Sequence, residues 1–277
     1  MSKERLTITL EKSILRKIDN FIDGEKIRNR SHAIEFLISQ ILQKKLNQAV
    51  ILAGGKGVRW KPLTNELPKA LIPIHGKPIL EHTILYLKTF GIQQIYLVIG
   101  HLGEKIKEYF GNGEQFGVNI IYLEDKKQKG TAPALKVVEP VIRKETFLVW
   151  YVDEIADIDL FDFLEFHQKH RATATLALSS VSDPKDLGIV KLQGSKIKEF
   201  IEKPQKQISS YIVNAGIFIS EPEIFDYIKS TTKSLEKEVF PQLAKEGKLN
   251  GYLFAGKWFD IGTPKGYAKA LKEWVKP

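Results

Sequence analysis

Residues 49–52, Ala49-Val50-Ile51-Leu52, form a short apolar run that breaks at once into Gly54, Gly55 and Gly57. An unbroken run of this length marks a buried strand. Glycines directly after a strand let backbone N–H groups approach an anion closely, because no Cβ stands in the way. Arg59 and Lys69 follow and supply fixed positive charge. A strand, a glycine loop and two cations in that order suit a nucleoside triphosphate. A short glycine motif taken alone fits a plain surface turn equally well.

Two familiar phosphate motifs fail here. A Walker loop ends in Gly-Lys-Ser/Thr, whereas Gly57 is followed by Val58 and Arg59. A dinucleotide fingerprint needs a sixth-position glycine, and that place holds Trp60.

The 277 residues leave room for one large domain and a small one. Apolar residues make up 43%, enough for a packed core, and the net charge of +9 favours anionic ligands without choosing between nucleotides and nucleic acid. The absence of cysteine excludes disulfides and thiolate metal sites. The charged start MSKERLTITL has no signal-peptide apolar region, and no apolar run reaches membrane-spanning length. A cytoplasmic protein with no membrane partner is the expectation.

The first 47 residues read as a separate unit. Leu6, Ile8 and Leu10 alternate with Arg5, Thr7 and Thr9, the period of a half-buried strand. Ile14, Leu15, Ile18, Phe21 and Ile22 recur at helical spacing, and Asp23-Gly24 breaks that helix. A second helix carries Ile34, Phe36, Leu37, Ile38, Ile41, Leu42 and Leu46, with Asn29 or Ser31 as its cap. So short a unit cannot bury a core alone, and its lone strand lacks a neighbour, so it is expected to dimerise. It carries ten Lys and Arg against six acids, a net of +4.

From residue 48 onward, strands expected at 48–53, 95–99, 118–123 and 146–152 alternate with helices at 79–90 and 104–110. That alternation predicts an α/β fold, a mixed but mostly parallel Rossmann-like sheet flanked by helices. Ligands of such sheets sit at the carboxyl ends of the strands, where Gly54-Gly55 and Asp153 both fall. Strands are expected at 172–180, 187–192, 197–201, 211–219, 251–254 and 258–261. Helices are expected at 221–229, 235–246 and 264–274, the last with proline at its start. The expected domains are 1–47 and 48–277.

Phosphoryl-type transfer needs charge neutralisation by metal, cations on the phosphates and an in-line nucleophile. Asp153 at a strand end, and Asp260 in Trp258-Phe259-Asp260-Ile261-Gly262-Thr263-Pro264, are placed to supply carboxylate oxygens for Mg2+. Either alone also fits a cap or a turn. The six histidines do not cluster at ligand spacing, and no nucleophile elbow occurs.

The pattern Gly54-Gly55-x-Gly57-x-Arg59-x-x-Pro62-Leu63-Thr64, with Pro68-Lys69 and Pro73 after it, resembles the signature of the sugar-phosphate nucleotidylyltransferases. The resemblance extends over residues 48–277. It implies that Leu52, Ala53, Gly54, Gly55, Gly57, Arg59, Gly130 and Thr131 bind the nucleotide. It implies that Gly188, Glu202, Lys203 and Asn214, from Gly188-Ile189-Val190, Glu202-Lys203-Pro204 and Asn214-Ala215-Gly216, bind the sugar phosphate. Asp153 and Asp260 would hold Mg2+, and Arg59, Lys69 and Asp153 would be catalytic. The implied reaction joins an NTP and a sugar 1-phosphate into an NDP-sugar with release of pyrophosphate. Thr131-Ala132-Pro133-Ala134 is close to the version in mannose-1-phosphate guanylyltransferases and tilts the reading towards guanylyl transfer.

Three positions depart from that family's pattern. Val58 stands in place of Thr or Ser, Ala70 in place of Pro, and Val152 in place of Gly before Asp153. A branched side chain at 152 is expected to crowd the sugar or nucleotide.

The strand–helix–helix pattern of residues 1–47 resembles the ribbon-helix-helix dimers that bind DNA. The resemblance implies that Arg5, Thr7 and Thr9 face bases and that Arg30 and Ser31, at the start of the second helix, hold phosphate. Two alternatives stay open: a dimer clamp that touches no DNA, and a transcriptional regulator whose transferase-like domain senses a nucleotide sugar.

Overall fold

The computed structural model describes residues 7–24, 27–42, 46–125, 129–142, 145–205 and 209–274. The chain divides into two units, Met1–Lys45 and Leu46–Pro277.

The first unit holds two helices, α1 (Lys12–Asp19) and α2 (Arg30–Leu42). Ile18 of α1 and Ala33 of α2 are buried, while Ile8, Ile14, Phe21, Phe36 and Ile38 stay exposed. Asp23 and Gly24 end the first helical segment. Gly24 turns the chain at φ +80°, and Ile27 N donates to Asp23 Oδ1 at 2.8 Å. Of the two expected caps, Asn29 is used, its Oδ1 accepting from His32 N at 2.9 Å. Arg30 forks onto Asp19 at 2.7 and 2.8 Å. Residues 7–10, including Thr7 and Thr9, form no strand, and Arg5 lies outside the described residues. A strand exists only against a hydrogen-bonded neighbour, and the described part of this unit offers none.

The second unit begins with β1 (Gln48–Leu52), then β2 (Pro73–Ile74), β3 (Lys77–Pro78), α3 (Ile79–Thr89) and β4 (Gln94–Ile99). Next come α4 (Gly103–Phe110), β5 (Asn119–Glu124), α5 (Thr131–Lys136), β6 (Phe147–Tyr151), β7 (Glu154–Ala156) and α6 (Leu160–His170). Then follow β8 (Ala174–Ser180), β9 (Gly188–Gln193), β10 (Lys196–Glu202) and β11 (Ile212–Ser220). The chain closes with α7 (Phe240–Lys245), β12 (Leu249–Leu253), β13 (Trp258–Asp260) and α8 (Pro264–Glu273).

Nine strands form one sheet in the order β5-β4-β1-β6-β11-β8-β12-β10-β9. Strands β5, β4, β1 and β6 run parallel. β11 is antiparallel to β6, β8 and β9, and β10 is antiparallel to β12 and β9, leaving β8–β12 as the parallel pair of that half. The sheet is therefore mixed, not mostly parallel as the alternation led us to expect. The reason lies in connection length. Only Gly194 and Ser195 separate β9 from β10, and so short a link makes a hairpin, whereas parallel neighbours need a crossover.

Adjacent residues of β1 show why its sequence is continuously apolar. Ile51 belongs to one buried cluster, with Leu97, Trp150 and Ile217; Val50 belongs to the cluster on the other face, with Val98, Val149 and Phe218. Side chains of a strand alternate faces, and both faces are covered.

Two expected helices are shaped differently. Residues 222–227 form a 3-10 helix, and the expected helix at 235–246 is a π turn over Leu235–Val239 that runs into α7. Pro241, at the second position of α7, has no N–H to give an ordinary ladder there. The two-stranded sheet of β7 and β13, in which Glu154 lies opposite Asp260, was not expected.

Phe218 is fully buried and meets Phe240 edge-on at 5.4 Å between ring centroids. Phe218→Ala is expected to lower unfolding free energy by about 3–5 kcal/mol in urea titrations. A loss under about 1 kcal/mol would show that the β6–β11–β8 face is not the core described.

Candidate active site

The glycine loop leaves β1 against the end of β4. Ala53 N donates to Val98 O at 2.8 Å, and a Cβ on Gly54 would lie 3.4 Å from Gly100 N. Gly57 is required twice: its φ is +59°, and a Cβ there would fall 2.7 Å from Thr64 Cγ2. Thr64 Oγ1 fixes the turn by donating to Gly57 O at 2.8 Å. The chain then tightens into one 3-10 turn, Val58–Trp60, whose Trp60 Nε1 donates to Ile261 O at 2.9 Å. That bond ties the loop to the segment carrying Asp260.

The acidic side is built by β6 and the β7–β13 pair. Val152 N donates to Leu52 O at 3.2 Å, so the chain after β6 leaves the sheet beside the end of β1. Asp153 follows, and Lys69 Nζ donates to its Oδ2 at 2.7 Å with both side chains largely buried, 14% and 18% exposed. Ile261 N donates to Asp153 O at 2.9 Å, and Gly262 N to Asp260 Oδ1 at 2.6 Å.

Gly262 reveals how close these groups are. A Cβ there would sit 2.5 Å from Arg59 Nη2, 2.6 Å from Asp260 Oδ1 and 2.8 Å from Asp153 Oδ2. Two carboxylates and one guanidinium thus face a single small space, with the Lys69 ammonium on one carboxylate. Burial opposes ionisation of Asp153, but the Lys69 and Arg59 charges outweigh it and hold the carboxyl below its ordinary range. Asp260 moves the other way, raised by burial and by the neighbouring Asp153 charge. Glu154 is pushed well above the carboxylate range by burial and by both aspartates. Its Oε2 accepts from Trp258 Nε1 at 2.8 Å, which occupies it structurally.

The donor set fits Mg2+. The ion prefers hard oxygen and completes its shell from one or two carboxylates plus substrate phosphates and water. Asp153 and Asp260 offer two such oxygens on one cradle, which the missing Cβ of Gly262 leaves open. Among the described residues no group of three or more His, Cys, Asp and Glu side chains could hold a metal without such help.

A cleft of about 290 Å3 opens beside this cradle. Leu52, Gly54, Gly55, Gly130 and Thr131 of the expected nucleotide residues line it, together with Lys69 and Asp153. Arg59 and Asp260 instead line an adjoining cleft of about 670 Å3; Ala53 and Gly57 line neither and shape the loop from behind. Lys56, Asp125 and Tyr151 also line the first cleft and were not foreseen, because nothing in their local sequence marks them. Val58 is 64% exposed, Ala70 packs in the core, and Val152 is 5% exposed, contributing to the cleft wall while packed among core residues.

The expected sugar-side residues are partly brought together. Gly188 pairs with Glu202 across β9 and β10, and a Cβ on Gly188 would lie 3.0 Å from Glu202 Oε2. Lys203 is exposed at φ +47° and donates its N–H to Leu187 O at 3.1 Å. Asn214 Oδ1 accepts from Gly216 N at 3.2 Å. Glu202 is raised by burial and by the nearby Glu236 charge.

The nucleotidyl transferase family pattern matches residues 48–276. The chain belongs to the nucleotidyl transferase family. Curated relatives include a mannose-1-phosphate guanyltransferase of Yarrowia lipolytica, 38% identical over 228 residues, covering 79% of this chain and 62% of that protein. The catalytic subunit beta of mannose-1-phosphate guanylyltransferase from Danio rerio is 35% identical, covering 81% and 63%. The nucleotidyl transferase chain thus spans under two thirds of these relatives' length. A crystal structure from Bacillus anthracis, assigned as a glucose-1-phosphate thymidylyltransferase and solved with sucrose, superposes with a TM-score of 0.73 at 29% identity. It covers 81% of this chain and 94% of that one.

Gly262→Ala is expected to keep the fold and to lower turnover about 100-fold, since the new methyl would displace groups from the cradle by an ångström-scale shift. Wild-type turnover in this variant, with a circular dichroism spectrum matching wild type, would mean that the cradle is not where the chemistry occurs.

Proposed function

We propose that the chain joins an NTP to a sugar 1-phosphate, giving an NDP-sugar and pyrophosphate, with guanylyl transfer to mannose 1-phosphate as the favoured pair. The observation that carries this reading is the meeting of Arg59, Lys69, Asp153 and Asp260 around one small space beside the glycine-loop cleft. The guanylyl preference rests on the curated relatives and on Thr131-Ala132-Pro133-Ala134.

In this reading the N–H groups of Gly54 and Gly55 hold the triphosphate, and Arg59 neutralises charge on it. Lys69 holds phosphate near the α position and keeps Asp153 ionised. Asp153 and Asp260 hold Mg2+, which supplies charge neutralisation on the phosphates when bound. Lys203 and Glu202 orient the sugar phosphate, with Gly188 and Asn214 shaping its surroundings. A sugar-phosphate oxygen then attacks the α-phosphorus in line; the bond to the bridging oxygen breaks, and pyrophosphate leaves with the electron pair. No protein nucleophile is needed.

Pyrophosphate release with each NTP and a panel of sugar 1-phosphates, in Mg2+, tests the reaction. GTP with mannose 1-phosphate is expected to be fastest; no release from any pair by folded protein would overturn the reading. Asp153→Asn removes the anion that Lys69 and the metal share and is expected to cost at least about 100-fold in kcat. Retained turnover would remove Asp153 from the metal role.

The first unit carries a second proposal, that it pairs two chains as a ribbon-helix-helix dimer. The exposed Ile8, Ile14, Phe21, Phe36 and Ile38 support it, since so small a unit leaves this apolar surface uncovered by itself. Contact with DNA through Arg5, Thr7, Thr9, Arg30 and Ser31 is the finer reading, although Arg30 is already held by Asp19. Sedimentation of the full chain is expected to give a dimer that Ile14→Glu converts to monomer; a wild-type monomer would overturn the pairing. A gel shift on duplex DNA separates the regulator from the clamp.

A further inference from the structure

The carboxylate of Glu236 accepts hydrogen bonds from three hydroxyls on three separate segments. Tyr151 Oη donates to Oε1, and Thr131 Oγ1 and Ser234 Oγ donate to Oε2, each at 2.7 Å. Tyr151 ends β6 two residues before Asp153, and Thr131 opens α5; both line the 290 Å3 cleft, while Glu236 does not. The backbone repeats the same joint. Leu235 N donates to Thr131 Oγ1 at 2.9 Å, and Ala132 N to Lys233 O at 3.3 Å. Gly130 sits at φ +129°, where a Cβ would run into Lys233 O. The segment 233–236 therefore clamps the turn that forms one wall of the cleft and also holds Tyr151, a second residue of its lining.

We propose that Glu236 is a positioning residue for the nucleotide. It fixes the Thr131 and Tyr151 side chains where they line the cleft that takes the NTP, and it does not line that cleft itself. The proposal rests on reading the cleft as the nucleotide site.

A carboxylate is needed here for hydrogen-bond polarity. Three converging O–H donors require a partner that only accepts. Thr131 Oγ1 already accepts from Leu235 N, and Ser234 Oγ from Lys237 N at 3.1 Å, so the protons of both hydroxyls point to Glu236. A glutamine keeps the shape but turns an NH2 towards either Tyr151 or the Thr131–Ser234 pair. Towards Tyr151 the phenol must accept from the NH2, and its own proton loses the carboxylate. Towards Thr131 and Ser234, whose oxygens already accept N–H groups, donor meets donor. Either orientation leaves a part-buried hydroxyl without its acceptor. The wall then relaxes, and the loss falls on nucleotide binding rather than on the Asp153 cradle.

Three full-length variants test this: Glu236→Gln, Ser234→Ala and the double variant. The readouts are Kd for GTP by calorimetry, KM for GTP, kcat, and thermal melting. Glu236→Gln is expected to raise Kd and KM for GTP about tenfold, with kcat held within about threefold. Ser234→Ala removes one of the three hydroxyls on Glu236 without touching the cleft lining and is expected to act in the same direction, more weakly. The double variant should be no worse than the more affected single, because both break one joint. Unchanged GTP affinity in both singles, a fall in kcat alone, or additive losses in the double would overturn the proposal. Should Glu236→Gln melt far below wild type, Ser234→Ala, which keeps the carboxylate and lies outside the cleft lining, still tests the joint through GTP affinity. A wild type that binds GTP without releasing pyrophosphate would sink the transferase reading, while the Kd comparison still decides the role of Glu236.

Discussion

A largely buried carboxylate needs a partner, and in this chain the pairing of Asp153 with Lys69 supplies one. At 2.7 Å, with both side chains mostly covered, the ammonium offsets the desolvation that burial imposes on Asp153 and keeps it charged. Both residues also line the cleft. Lys69 comes from the loop that follows β1, and Asp153 from the end of β6, so the ion pair bridges the two parallel strands on which the site is built. Removing either partner leaves a charge in a place where water cannot fully solvate it. For that reason the glycine loop, the β6 end and the Asp260 segment are best understood as one electrostatic unit.

Glycine positions give that unit its room. Gly57 admits Thr64, Gly188 admits the Glu202 carboxylate, Gly216 at φ +69° lies against the Glu154 side chain, and Gly262 leaves the space faced by Arg59, Asp153 and Asp260. In each case a methyl group would occupy the volume of a functional or supporting side chain. Glu154 is the counterpart of Asp153. It is raised by burial and by the two aspartates, and its carboxyl is held by Trp258 rather than by a lysine, so two adjacent buried acids have opposite ionisation tendencies.

Much of this was legible in the sequence. The run at β1 announces its burial on both faces because Val50 and Ile51 enter opposite halves of the core. Gly57, Arg59 and Lys69 are marked by spacing, and Asp153 by its place at a strand end. The direction of the later strands was not legible, since apolar periodicity reports which face is buried and says nothing of which way a neighbour runs. The β7–β13 pair was hidden for a related reason: three-residue strands carry no period, and the pairing of Glu154 with Asp260 joins positions over a hundred residues apart in sequence. Glu236 was invisible as well. It sits in a π turn that reads as ordinary helix, and its partners Thr131 and Tyr151 are 105 and 85 residues away. The strand expected over residues 5–10 is not formed at 7–10, because a strand needs a hydrogen-bonded partner that the described part of its unit does not provide.

The central claim is that Arg59, Lys69, Asp153 and Asp260 form one phosphate-and-metal cradle. A crystal of the full chain grown with a non-hydrolysable GTP analogue and Mn2+, measured at the manganese edge, tests it most directly. The account predicts an anomalous peak bonded to oxygens of Asp153 and Asp260 and to a phosphate oxygen of the analogue. A peak held by other residues, or an analogue bound with its phosphates away from Arg59 and the 54–57 loop, would contradict it.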